Sequence, residues 1–141
     1  MSSECTTDLV ELHIPCKPEF VGIVRLNMLG IASRMKFTYD EVEDIRLAVG
    51  EACTIAVDRA AKMRVNDASI VIKCEINGKK LSICIKDSLC VVEDEPVSLQ
   101  PLEELDKEGL GTQLIELLVD EFCVEQSVNG GTLVTMIKYA G

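Results

Sequence analysis

Two ionisable side chains fall where hydrocarbons are expected. The first is Glu51, in the stretch EDIRLAVGEACTIAVDRAA from Glu43 to Ala61. At 3.6 residues per turn, Val42, Ile45, Val49, Ala52 and Ala56 share one stripe, which predicts an amphipathic helix laid against a core. One turn away from Glu51 are Leu47, Ala48 and Ile55, so its carboxylate has apolar neighbours. Such a group must find a partner, take up a proton or face a cavity. The helix is therefore the wall of a site or the remains of one. The second is Asp87. Residues 68–76 alternate, with Ala68, Ile70, Ile72, Cys74 and Ile76 facing one way, and Leu81, Ile83 and Ile85 resume the pattern after Asn77-Gly78. Extending that parity puts Asp87 on the apolar side, at the end of a strand. A turn cap accounts for it equally well. A third feature is Gly109-Leu110-Gly111, which opens a helix. Glycines there let backbone N–H groups approach an anion, although a lone G-x-G has low specificity.

The elements that must position these residues are read from the same periodicities. Leu9 to Pro15 alternates as a half-buried strand, with His13 on its polar side as a surface residue. From Pro18 to about Met35 the pattern is helical, through Phe20, Ile23, Val24, Met28 and Ile31, with Pro18 in the first turn. Thr38 precedes Asp40, Glu41 and Glu43, the composition of an N-cap and an acidic first turn. Asn77-Gly78 marks a hairpin. Ser88 to Glu108 reads as a long loop of the kind used for lids and binding. A helix follows from Thr112 to about Glu121. Phe122 to Val128, the turn Asn129-Gly130-Gly131 and Thr132 to Tyr139 form a closing hairpin. This order predicts an α+β two-layer sandwich, one mixed, mostly antiparallel sheet with helices on one face. There is no internal repeat or domain boundary, so residues 1–141 are expected to form one domain.

Composition excludes several function classes. The net charge of −10 argues against a general phosphate-backbone binder, which would carry clustered Lys and Arg. No apolar run approaches the length of a membrane span, and the polar, acidic start MSSECTTD does not resemble a signal peptide. A cytoplasmic location is expected. Seven cysteines, at 5, 16, 53, 74, 84, 90 and 123, include no C-x-x-C pair. Scattered thiols on apolar faces fit a reducing compartment better than disulfides or a metal site.

With these residues in view the chain resembles a known family, the anti-sigma factor serine-protein kinases of the anti-sigma-B type. They belong to the GHKL, or histidine-kinase-like, ATPase superfamily. The segments PEFVGIVRLNMLGIASRMKFTYDEVEDIRLAVGEACT, EGLGTQLIELLVDEF and NGGTLVTMIKY carry the likeness, which extends over nearly the whole chain. The resemblance implies the Bergerat fold, with ATP between the helices and the sheet. It implies an E-x-x-x-N box whose glutamate activates the attacking hydroxyl and whose asparagine holds Mg²⁺. It also implies a D-x-G aspartate that reads adenine, a Gly-rich box under the phosphates and a late threonine near the base. The matching positions are Glu51, Asp87, Gly109 with Gly111, and Thr132. Arg25 matches an arginine of the family's partner-binding region. The implied partners are a sigma factor and an anti-anti-sigma antagonist that is phosphorylated on serine, with a homodimer as the family's assembly.

The chain departs from that pattern at two places. Ile55 stands at the asparagine position and has no oxygen to offer Mg²⁺, a hard cation that takes oxygen ligands. The D-x-G motif reads Asp87-Ser88-Leu89, and the lid is shorter and more acidic than in the family. These departures predict weakened ATP and Mg²⁺ binding and weakened kinase activity. Three readings stay open: a regulatory anti-sigma factor with degenerate nucleotide chemistry, an active ATP-dependent serine/threonine kinase, or a non-catalytic GHKL-like module in another partner-switching pathway.

Overall fold

The structure, a computed structural model, describes residues 7–88, 110–126 and 132–141. Gly109, most of the expected lid and the Asn129-Gly130-Gly131 turn lie outside the described residues.

Strand β1 (Asp8–Pro15) leads through one 3₁₀ turn (Pro18–Phe20) into helix α1 (Val21–Ala32). The long helix α2 (Tyr39–Lys62) follows. Strands β2 (Ser69–Asn77) and β3 (Lys80–Asp87) make the first hairpin. Helix α3 (Leu110–Leu118) precedes the second, β4 (Glu121–Gln126) and β5 (Thr132–Tyr139). Among the described residues five strands are ordered β1-β2-β3-β5-β4, and every pairing between them is antiparallel. This is the α+β two-layer sandwich expected, with its described pairings all antiparallel.

Helix α2 is closed at both ends. Thr38 accepts a hydrogen bond from the Glu41 N–H, while the Glu41 carboxylate accepts from the Thr38 N–H. This capping box satisfies two otherwise orphaned donors and contributes about 1 kcal/mol. At the other end Val65 N–H bonds Ala60 O and Arg64 N–H bonds Ala61 O, with Arg64 at φ 59°. That is a Schellman closure with arginine in the left-handed position usually given to glycine.

The core lies between the helices and one face of the sheet. Val24 and Met28 of α1, Ile45, Val49 and Cys53 of α2, and Ile115 of α3 meet Ile70, Ile72, Leu81, Ile83 and Met136 of the sheet, all fully buried. Each large side chain so buried contributes about 1.5–3 kcal/mol. The sheet's alternation follows the expected parity, and Asp87 continues it inward.

Three boundaries differ from expectation. The first hairpin turns on Gly78-Lys79, because Asn77 pairs with Lys80. Gly78 alone has positive φ there, at 63°, the type II′ pattern with glycine first. Helix α1 ends at Ala32 rather than near Met35. Helix α3 ends at Leu118 rather than Glu121, because Lys138 Nζ caps the Leu118 carbonyl at 2.8 Å and the Asp120 N–H joins Ile137 O. Glu121 then belongs to β4. Among the described residues no helix is long and apolar enough to cross a membrane.

Candidate functional site

Helix α2 presents Ala52, Ile55, Ala56 and Arg59 to the sheet, a spacing that puts them on one face. Opposite them, Ile85 and Asp87 end β3, while Thr132 and Val134 begin β5. With Ile115 and Phe122 these residues line a cavity of about 10 Å³, room for roughly one water molecule. The small alanines allow the helix to come close, and the branched side chains fill what remains.

Asp87 is buried, and its partners are specific. Its Oδ1 accepts the Thr132 N–H at 2.9 Å, which fixes the start of β5 against the end of β3. Its Oδ2 lies 3.5 Å from Arg59 Nη1, and the same Nη1 donates to Thr132 Oγ1. Arg59 and Asp87 are both less than a tenth exposed. A buried pair of this kind is tolerated when its groups are hydrogen-bonded, and losing one partner leaves the other charge uncompensated. The neighbouring Cys16 thiol feels the pair. Its pKa is pushed up to about 11, mainly by burial, further by the Asp87 carboxylate, and against the opposing pull of Arg59.

Glu51 belongs to a second contact. A Cβ added to Gly111 would lie 2.9 Å from Ile55 Cδ1 and 3.0 Å from Glu51 Oε2. The first turn of α3 therefore rests on α2 at Glu51 and Ile55, and the glycine permits the approach. The carboxylate sits near the positive end of the α3 dipole, a favourable place for negative charge. An anion directed to that helix end would meet Glu51 already beside it. The two carboxylates thus stand in neighbouring contacts. Asp87, Thr132 and Ile55 line the small cavity, Glu51 and Gly111 meet at its flank outside that lining, and Ile55 is common to both.

Arg25 lies apart from both groups, in the α1–α2 seam. Its half-buried guanidinium occupies the space above Gly50, where any Cβ would collide with it. Its charge reaches Cys53, whose thiol is nevertheless raised to about 12 because burial dominates. A groove of about 610 Å³ between α1 and β1, lined in part by Leu26, Asn27, Arg34 and Ile76, contains none of the candidate site residues. His13 is exposed beside Glu11.

Sequence reasoning missed Arg59 and Gly50. Arg59 is one turn past Ile55 and seven residues past Ala52, so extending the inward stripe of α2 would have reached it. Gly50 carried no signal by itself, since a helical glycine declares its purpose only when the crossing side chain is known.

A model of the histidine kinase-like ATPase domain matches residues 14–138. Proteins named serine-protein kinase RsbW are 36% identical over 140 residues in Bacillus licheniformis, 38% over 143 in Bacillus pumilus and 37% over 140 in Bacillus subtilis. These alignments cover 94–95% of this chain and 86–87% of the relatives. The chain belongs to the RsbW family of histidine kinase-like ATPase domains. The crystal structure of the RsbU and RsbW domains of Rv1364c from Mycobacterium tuberculosis superimposes with a TM-score of 0.68 at 17% identity, covering 94% of this chain and 32% of that one. At that identity the likeness speaks for the fold.

An ATPase domain implies a nucleotide, and the residues can be tested against one. The Asp87 carboxylate with Thr132 suits an amine donor such as the exocyclic group of adenine. The cavity of about 10 Å³ is far smaller than the cavity of about 150 Å³ that takes up benzene. Mg²⁺ fits less well. At the contact of Glu51, Ile55 and Gly111 only Glu51 brings a side-chain oxygen, and Ile55 presents hydrocarbon where a hard cation needs oxygen ligands. Among the described residues no group of three or more His, Cys, Asp or Glu is placed to hold a metal.

Proposed function

We propose that this RsbW-family chain is a cytoplasmic anti-sigma regulator that holds a sigma factor or its antagonist, with nucleotide binding and serine phosphorylation weakened relative to its relatives. One observation carries the reading: Ile55, at the position from which the family resemblance expects a metal-binding asparagine, packs its hydrocarbon against Gly111 beside Glu51. Phosphoryl transfer relies on metal-assisted neutralisation and close positioning of the phosphates. A chain that lacks the oxygen ligand retains the fold and the partner surface while losing most of the transfer.

In this reading Glu51 is the group that would accept the proton of an attacking serine hydroxyl. Asp87 and Thr132 would hold the base, and Gly109 with Gly111 would bring backbone N–H groups to the phosphates. Bound ATP supplies the phosphoryl group. Arg25, held over Gly50, would present its positive charge to the partner from the seam between α1 and α2. The acidic chain suits a partner with a basic face, and dimerisation would follow the family.

The second reading, an active serine-protein kinase, is favoured by the names of the relatives at 36–38% identity. Calorimetric titration with ATP and Mg²⁺ separates the two. Weak binding, with little transfer of labelled phosphate to an anti-anti-sigma protein, is expected. Micromolar binding with rapid transfer would establish the kinase instead.

A further inference from the structure

We propose that Arg59 is the specificity-determining residue of the base seat: its guanidinium occupies Asp87 as an internal competitor of a purine's exocyclic amine, so that such an amine reaches the carboxylate only as Arg59 withdraws. The inference rests on the nucleotide reading above. Arg59 sits over the carboxylate that the base would need, and its Nη1 engages both Asp87 Oδ2 and Thr132 Oγ1. A guanidinium is planar and offers N–H donors in its plane, the same chemistry that the amino edge of adenine brings to a carboxylate. With it in place the cavity has room for about one water.

Of the charged and polar residues in the lining, Arg59 is the one with a side chain long enough to withdraw. Ile85, Asp87, Thr132 and Val134 are strand residues locked in the sheet register. Ala52 and Ala56 have nothing to withdraw. Arg59 stands in the last turn of α2, close to the exposed Lys62 and Met63, and its long flexible stem can carry the charge to solvent. Moving it away from Asp87 takes the compensating charge from a buried carboxylate, a cost that an arriving donor offsets. Adenine supplies such a donor. Guanine presents a carbonyl oxygen at the corresponding ring position, which the carboxylate repels and the guanidinium would attract. Arg59 therefore both opposes base entry and narrows the preference for adenine.

The test compares the full chain with Arg59→Ala and Arg59→Lys, titrating ATP and GTP in Mg²⁺ and following the fold by circular dichroism. Arg59→Ala is expected to bind ATP about tenfold more tightly or better and GTP no more tightly, so the ATP-to-GTP ratio rises. Arg59→Lys, a point charge without the fork, stays near the parent. A folded Arg59→Ala protein with the parent's ATP affinity and ATP-to-GTP ratio overturns the proposal and leaves the nucleotide reading standing. Absence of nucleotide binding by both proteins overturns that reading and the gate with it. Should Arg59→Ala fail to fold, the parent chain decides through its Arg59 side-chain Nε–H resonance, identified by its loss in Arg59→Lys. ATP is expected to shift or broaden it, and an unmoved resonance at saturating ATP overturns the gate.

Discussion

In the proposed reading, Ile55 is the side chain on which the nucleotide chemistry turns. Its place among Ala52, Ala56 and Ile115 is what the α2 stripe requires, and its chemistry is what a metal site forbids. Replacing it by asparagine returns an oxygen to the contact with Gly111 and Glu51. Ile55→Asn is expected to tighten ATP binding in Mg²⁺ by about tenfold, the worth of one good polar contact, at a cost of about 1–3 kcal/mol in stability for a polar group in an apolar lining. On the same reading serine phosphorylation is not expected to become fully efficient, because Leu89 stands where the family resemblance expects the glycine of a D-x-G motif. Calorimetry, denaturant midpoints and a phosphorylation assay read the three effects, and full kinase recovery by the single change would contradict the account. The apolar setting of Glu51 and the inward parity of Asp87 were legible from periodicity, because α2 and β3 keep their period to the end, whereas Ile55 drew notice only through the family resemblance. The stripe of α2 also reaches Arg59, but the burial of its charge was not legible. A long basic side chain at an inward position ordinarily carries its charge out to water, and only the three-dimensional meeting with Asp87 and Thr132 keeps it in.

At the scale of elements, the structure turns on close approaches and on helix ends. Helices α1 and α2 cross with Arg25 lying over Gly50. Gly50→Ala adds helix propensity worth about 1 kcal/mol while its methyl displaces the guanidinium. The variant is expected to stay folded, with an unchanged or slightly higher melting temperature. It should weaken sigma-factor capture to the same degree as Arg25→Ala. Undiminished capture by both variants would move the partner surface elsewhere. The α2 C-terminus offers an independent check. Arg64 holds a left-handed conformation that costs a side-chain-bearing residue roughly 1 kcal/mol, so Arg64→Gly is expected to raise stability by about 0.5–1 kcal/mol in a urea titration. Element types were readable in the sequence, but several ends were not. Nothing local to Leu118 announces that Lys138, twenty residues later, will cap its carbonyl, and Asn77-Gly78 does not reveal that register will place the turn one residue further on.

The whole molecule is stapled by burial, and its thiols make that burial measurable. Cys16 follows β1, Cys53 lies in α2 and Cys74 in β2, so the three sample three parts of the same core. Burial is the main cause of each raised value: about 11 for Cys16, about 12 for Cys53 and about 12 for Cys74. An unfolded thiol ionises near pH ~8.5. Below that pH both states keep the proton and the contribution to stability is complete. Above it the unfolded chain releases protons that the folded chain retains, so stability falls as pH rises toward the folded values. Each thiol can contribute a slope of up to about 1.4 kcal/mol per pH unit in that window, large against the roughly 5–15 kcal/mol stability of an ordinary domain. Urea midpoints measured from about pH 8 to about pH 10.5 are expected to drop steeply. General repulsion in a chain of net charge −10 also grows in alkali, so the informative quantity is the difference between proteins. Cys74→Ala should lower stability at neutral pH through the small void it leaves, yet show a shallower alkaline decline by about one thiol's share. Parallel declines in the two proteins would mean that the Cys74 thiol ionises as readily folded as unfolded, and that the face of β2 turned toward Met28 is wetter than its burial implies.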